Sequence, residues 1–183
     1  MESYSFEFET VGEIYEANDR VRERLIAAVD GISKEQESLL TEKGDWTVAG
    51  IVEHLAKVEE GMAKIANRLL KKAAESGVKS DGSAAISENA RSSSAEWYRT
   101  KLEAPEIVRP SGNVPVADSL AAMAENRKKL KEIRELFETV EGTELKFPHP
   151  AFGPLSAQEW LALIGGHENR HVSQIEKILA RGS

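Results

Sequence analysis

Apolar residues recur at intervals of three and four along four stretches of this chain, the spacing that lines one face of an α-helix. The first stretch, residues 10–32, carries Val11, Tyr15, Val21, Leu25, Val29 and Ile32 roughly in line. The second, residues 47–74, repeats through Val48, Ile51, Leu55, Val58, Met62, Ile65 and Leu69. Thr47 stands where an N-cap belongs, with Trp46 and Ile51 flanking it as a hydrophobic staple. The third, residues 116–141, shows Leu120, Met123, Leu130, Ile133, Phe137 and Val140, and Gly142 offers a C-terminal stop. The fourth has the clearest start. Ser156 and Glu159 form a capping box, Leu155 and Trp160 a staple, and Pro154 blocks any earlier beginning. From there Trp160, Ile164, His167, His171, Ile175 and Ile178 share a face until Gly182. No convincing strand pattern or internal repeat is visible.

Four long amphipathic helices without a sheet predict an all-α fold, a four-helix bundle forming a single domain over residues 1–183. The connection between the second and third helices, residues 75–115, is rich in Ser, Gly and Pro and too long for a tight hairpin. It is expected to cross the length of the bundle, with a short helix over residues 95–102 (AEWYRTKL) packing Trp97 and Tyr98 back onto it.

Composition narrows the function. The net charge is -7 and no basic stripe stands out, so no nucleic-acid partner is expected. Lys71 and Lys72 close one helix; Lys128, Lys129 and Lys131 lie among Glu125, Glu132 and Glu135, so both groups read as solvated faces. Cysteine is absent, which removes disulfides, thiolate nucleophiles and Cys-ligated zinc. The stretch MESYSFEFETVGEIYEA lacks the basic and apolar regions of a secretory signal, and no run reaches the ~20 apolar residues of a membrane span. A soluble, cytoplasmic protein with no membrane partner is the expectation.

The chemistry rests on histidines. His167 and His171 are four residues apart on the apolar stripe of the fourth helix, so both imidazoles project from one side. Buried separately, each would need its own partner or lose about 1–3 kcal/mol in desolvation; a shared metal serves both. His54 flanks the stripe of the second helix. It lies about 10 Å from the start of that helix, and His171 about 14 Å from the end of the fourth, so an antiparallel pairing brings them to similar depth. Three imidazoles suit zinc or nickel first, and iron or copper next, rather than magnesium or calcium. Three protein ligands leave a position open for water or substrate.

The same run spells H-E-x-x-H through His167, Glu168 and His171, the zinc-protease pattern. Such enzymes need a third ligand beyond the motif, yet only twelve residues follow His171, and Glu176 continues the same helix. Glu168 is rotated about 100° from His167, is expected to face solvent, and is given no role. Glu53 and Glu168 are both left outside the site as poorly placed to orient the ligands. Arg127, at a stripe position of the third helix, reads either as a snorkelling side chain at the bundle end or as a guanidinium that contacts a substrate carboxylate. His149, between prolines in FPHPAFGP, reads as a turn residue first and as an edge of the pocket second. Trp46, Trp97 and Trp160 read as core and staple residues.

Two stretches resemble one family. GDWTVAGIVEHLAKVEEG is similar to the second helix of DinB-like (YfiT-like) proteins, and FPHPAFGPLSAQEWLALIGGHENRHVSQIEKIL to their last helix and its lead-in. The resemblance extends over the whole chain, including the APEIVRP segment before the third helix. It implies a four-helix bundle with a divalent metal on His54, His167 and His171. It further implies bacterial, stress-related proteins that are often homodimers. Some are transferases or isomerases using low-molecular-weight thiols such as bacillithiol or mycothiol, and others metal-dependent hydrolases. The expected function is therefore a metalloenzyme that activates such a thiol, or water, toward a small electrophilic substrate. A non-catalytic bundle stapled by the ion, and histidines with no metal at all, stand beside it.

Overall fold

In the computed structural model, which describes residues 4–97 and 103–182, the expected stripes become four long helices. They are α1 (Val11–Val29), α3 (Val48–Ala74), α5 (Val116–Glu132) and α7 (Ala157–Arg181). Shorter helices α2 (Lys34–Glu37), α4 (Glu88–Trp97) and α6 (Arg134–Thr139) lie between them. The expected starts hold. Thr47 Oγ1 caps the Gly50 amide at 2.9 Å. Ser156 and Glu159 exchange both bonds of a capping box, Glu159 Oε2 accepting from the Ser156 amide at 2.7 Å.

Side-chain bonds between helices give their directions. Asn18 donates to the Leu161 carbonyl at 3.0 Å, and Arg24 further along α1 reaches Ser173 further along α7, so these helices run parallel. Tyr15 bonds the Leu130 carbonyl at 2.8 Å while Arg22 bonds that of Met123 at 3.3 Å, which sets α1 antiparallel to α5. The helix α3 runs antiparallel to α7, as the depth argument required: His54 near its start meets His167, while Leu70 near its end approaches Gly142, as does Gln158 near the start of α7. The connection after α3 must therefore climb the full length of the bundle. It does so against a series of partners. Lys79 bridges Val140, Ser83 bridges Thr10, Ser87 donates to Glu159, and the Glu106–Val108 turn reaches His54.

Three local expectations are corrected. The third stretch is not one helix over 116–141; it breaks at Ile133, whose backbone is at φ -101, ψ 8. The Leu130 carbonyl that would receive the Arg134 amide instead takes the Tyr15 hydroxyl and the Ile133 amide, and α6 restarts with Phe137 packed edge-on against the Tyr15 ring. The short helix of the crossover is Glu88–Trp97 rather than 95–102; Tyr98 and the rest of that expectation lie outside the described residues. A small antiparallel hairpin, Phe147–His149 with Gly153–Leu155, precedes α7 where no strand was expected. Prolines on both strands hide its pattern, and its turn is held by His149 Nδ1, which accepts from the amides of Ala151 and Phe152 at 3.1 and 3.3 Å.

Glycine decides how closely α1 and the N-terminal segment approach α7. A Cβ on Gly165 would sit 1.9 Å from Asn18 Oδ1 and 2.6 Å from the Tyr4 hydroxyl. Those two groups bond each other at 2.6 Å, two residues before His167 on the neighbouring helix.

Candidate metal centre

His54, one and a half turns into α3, and His167 and His171, on consecutive turns of α7, converge at the end of the bundle where α3 begins. One ring nitrogen from each lies within 4.8 Å of the other two. Their rings stand 4.7 to 5.1 Å apart, centre to centre. His54 is buried, and His167 and His171 are partly open.

The tautomers follow from the outer bonds. His54 Nδ1 donates to the Val108 carbonyl at 2.8 Å, which turns its Nε2 inward. His171 Nδ1 donates to Gln174 Oε1 at 2.9 Å, one turn further along α7. His54 Nε2 and His167 Nε2 face each other at 3.3 Å. Burial lowers the pKa of His54, pushes that of His171 down to about 3, and holds His167 well below the ordinary imidazole range, with the neighbouring histidines adding to the effect at His167. The cluster is therefore neutral, with lone pairs available, and its donors fit a borderline transition ion rather than a hard oxygen-seeking one.

Elements the sequence reading assigned to the core or left aside frame the centre. The Trp46 ring lies 4.7 Å from that of His54 and stacks on His171 at 6.4 Å. Trp97, the last residue of α4, stacks on His167 at 6.0 Å, and Arg170 covers it with a cation–π contact at 4.8 Å. Thus Trp46 and Trp97 are walls of the centre as well as packing residues. Glu53, left outside the site, clamps the segment that carries Val108. Its two carboxylate oxygens each accept from the Ser111 amide at 2.9 Å, and Lys57 ties it to the Arg109 carbonyl. Gln174, at three residues beyond His171, was within reach of helical spacing. Val108 acts through its backbone and leaves no such signal.

Glu168 does not face solvent. It is 2% exposed and lies on the inner side of α7, between His167 and His171 along the helix axis. Arg22 grips it with Nε at 2.6 Å and Nη2 at 3.1 Å, and also bonds Glu59 Oε1 at 2.9 Å. Arg127 completes a quartet, its Nη2 3.4 Å from Glu168 and 3.3 Å from Glu59. Arg127 is thus not a snorkelling residue at the bundle end: it is 6% exposed and engaged by the carboxylates of Glu59, Glu168 and Asp19. Burial raises the Glu59 pKa despite the two guanidiniums. The signal for Glu59 and Arg22 was present as charged residues within apolar stripes, beside Leu55 and Met62 and between Val21 and Leu25.

The model of the DinB superfamily matches residues 17–175, and the chain belongs to that superfamily. It is similar to the uncharacterized protein YuaE of Bacillus subtilis (strain 168), 24% identical over 154 residues that cover 81% of this chain and 86% of that protein. No solved structure matches this chain. Among the described residues, no helix is long and apolar enough to cross a membrane.

Proposed function

We propose that this protein is a metal-dependent enzyme acting on a small electrophilic substrate with a low-molecular-weight thiol or water as the attacking group. The observation that carries the reading is the convergence of three neutral imidazoles, two of them partly open to solvent, on a point that one ion can share. His54, His167 and His171 would hold the ion, zinc or nickel before iron or copper. A divalent ion so held keeps a position for a further ligand and lowers the pKa of a thiol or water placed there. Val108 and Gln174 fix two of the imidazoles through their Nδ1 protons, so that each presents Nε2 without reorganisation. Trp46 and Trp97 exclude water from two sides and offer flat apolar surface to a substrate.

A second reading, a non-catalytic bundle stapled by the ion, draws on one fact: the ligands come from two different helices, α3 and α7. The two separate in one experiment. Zinc- or nickel-loaded protein is assayed against a panel of small electrophiles with glutathione, cysteine, bacillithiol, mycothiol or water alone. Turnover above the uncatalysed rate that needs the metal and is lost in His167→Ala supports the enzyme. Stoichiometric metal with no turnover for any thiol or water overturns it in favour of the staple.

A further inference from the structure

Directly beneath the metal centre, between it and the buried quartet, lies a cavity of about 10 Å3 bounded by Leu55, Val58, Glu59, Met62, His167 and Glu168 among others. That is room for roughly one water molecule. Its walls are mostly apolar, but Glu59 brings an unmet need: Oε1 is bonded to Arg22, whereas Oε2 is buried and has no hydrogen-bond partner in a residue that is 4% exposed. An orphaned buried carboxylate oxygen is costly, and water is the usual remedy.

His167 also lines the cavity. His54 and His171 spend Nδ1 on Val108 and Gln174. His167 turns Nε2 toward His54, and among the described residues its Nδ1 has no protein partner. Metal-bound histidines ordinarily donate this second N–H to a carboxylate, a carbonyl or water.

We propose that, with the ion on His167 Nε2, a single buried water joins His167 to Glu59, accepting from His167 Nδ1–H and donating to Glu59 Oε2. Glu59 is then a positioning residue for the centre, acting through the water, and the ion quartet is the anchor that fixes Glu59. The arrangement gives the third imidazole the outer bond that the other two obtain from the protein. It also explains why a carboxylate sits at a core position of α3: Arg22 and Arg127 hold one oxygen, which leaves the other free for the water in a residue that lines the cavity.

The inference rests on the metal reading, and the test keeps the two apart. Zinc affinity of chelator-treated protein is measured by competition with a chromogenic chelator for the wild type, Glu59→Gln and Val58→Ile. The second variant fills the cavity and leaves the quartet intact, so it answers the objection that Glu59→Gln merely weakens the fold. Both variants are expected to raise the Kd by about 10- to 100-fold with an unchanged far-ultraviolet spectrum. In zinc-loaded wild-type protein the His167 Nδ1 proton should exchange slowly and show a cross-relaxation peak to water, lost in Val58→Ile. A Val58→Ile Kd within about twofold of wild type, with equally slow exchange of that proton, overturns the proposal. If the wild type binds no ion, the metal reading fails by itself. The bridge is then judged in a high-resolution crystal structure: density for a water between Glu59 Oε2 and His167 Nδ1 keeps it, and a dry cavity overturns it.

Discussion

His167 and Glu168 are consecutive residues in opposite chemical settings. His167 joins a cluster of imidazoles that burial keeps neutral, partly open at the bundle end. Glu168, one position on, belongs to a buried quartet of two guanidiniums and two carboxylates, with Asp19 beside Arg127 at its edge. One set holds neutral imidazoles with lone pairs, while the other pairs opposite charges of the protein's own side chains. An H-E-x-x-H string therefore says little by itself; the rotation of about 100° per residue assigns neighbouring letters to different functions.

Four measurements would break or sharpen that contrast. The largest effect belongs to the quartet. Glu168→Ala leaves Arg22 with Glu59 alone and Arg127 with Glu59 and the partly exposed Asp19, and removing one partner from a buried charge cluster costs about 3–5 kcal/mol. Urea unfolding of the metal-free protein should show this loss, whereas His171→Ala should change metal-free stability by less than about 1 kcal/mol. Equal losses would erase the distinction. Next comes the ion. Zinc at about 100 times its Kd should stabilise the wild type by about 2.7 kcal/mol and leave His54→Ala unchanged in thermal unfolding with and without chelator. A smaller effect is expected at the outer bond: Gln174→Ala should weaken metal binding about tenfold, near 1.4 kcal/mol, in the same competition assay, with no change in metal-free stability.

The smallest effect is in pH. The folded-state pKa of His171, about 3, lies below its ordinary 6.5. The unfolded chain therefore takes up protons first on acidification, and this contribution is intact above pH 6.5 and lost progressively as pH falls toward 3. Between pH 6.5 and 5.5 the metal-free wild type should lose about 1 kcal/mol more from this histidine than His171→Ala does, measured by urea unfolding at each pH. Parallel profiles would mean that His171 is not held neutral by the fold.

Period and caps made much of this legible. The stripes of α3 and α7, with Thr47 and Ser156 at their starts, put His54 and His171 at similar depth in an antiparallel pair, and the family resemblance completed the triad with His167. What escaped had physical reasons. The break at Ile133 depends on a hydroxyl from Tyr15, more than a hundred residues away, competing for a carbonyl. The hairpin around His149 is too short and too rich in proline for alternation to register. Glu168, Arg22 and Arg127 pair only in three dimensions, so Glu168 was expected to face solvent, Arg127 was read without its carboxylate partners and Arg22 was not singled out. Trp46 and Trp97 were read as packing, which they do; that they pack on imidazoles depends on where the crossover lands.

The central claim is that His54, His167 and His171 share one divalent ion. Calorimetric titration of untagged, chelator-treated protein with zinc tests it most directly. About one ion per chain, with binding abolished in each of His54→Ala, His167→Ala and His171→Ala and retained in His149→Ala, is the predicted result. No binding by the wild type, or binding that survives loss of any of the three histidines, would contradict it.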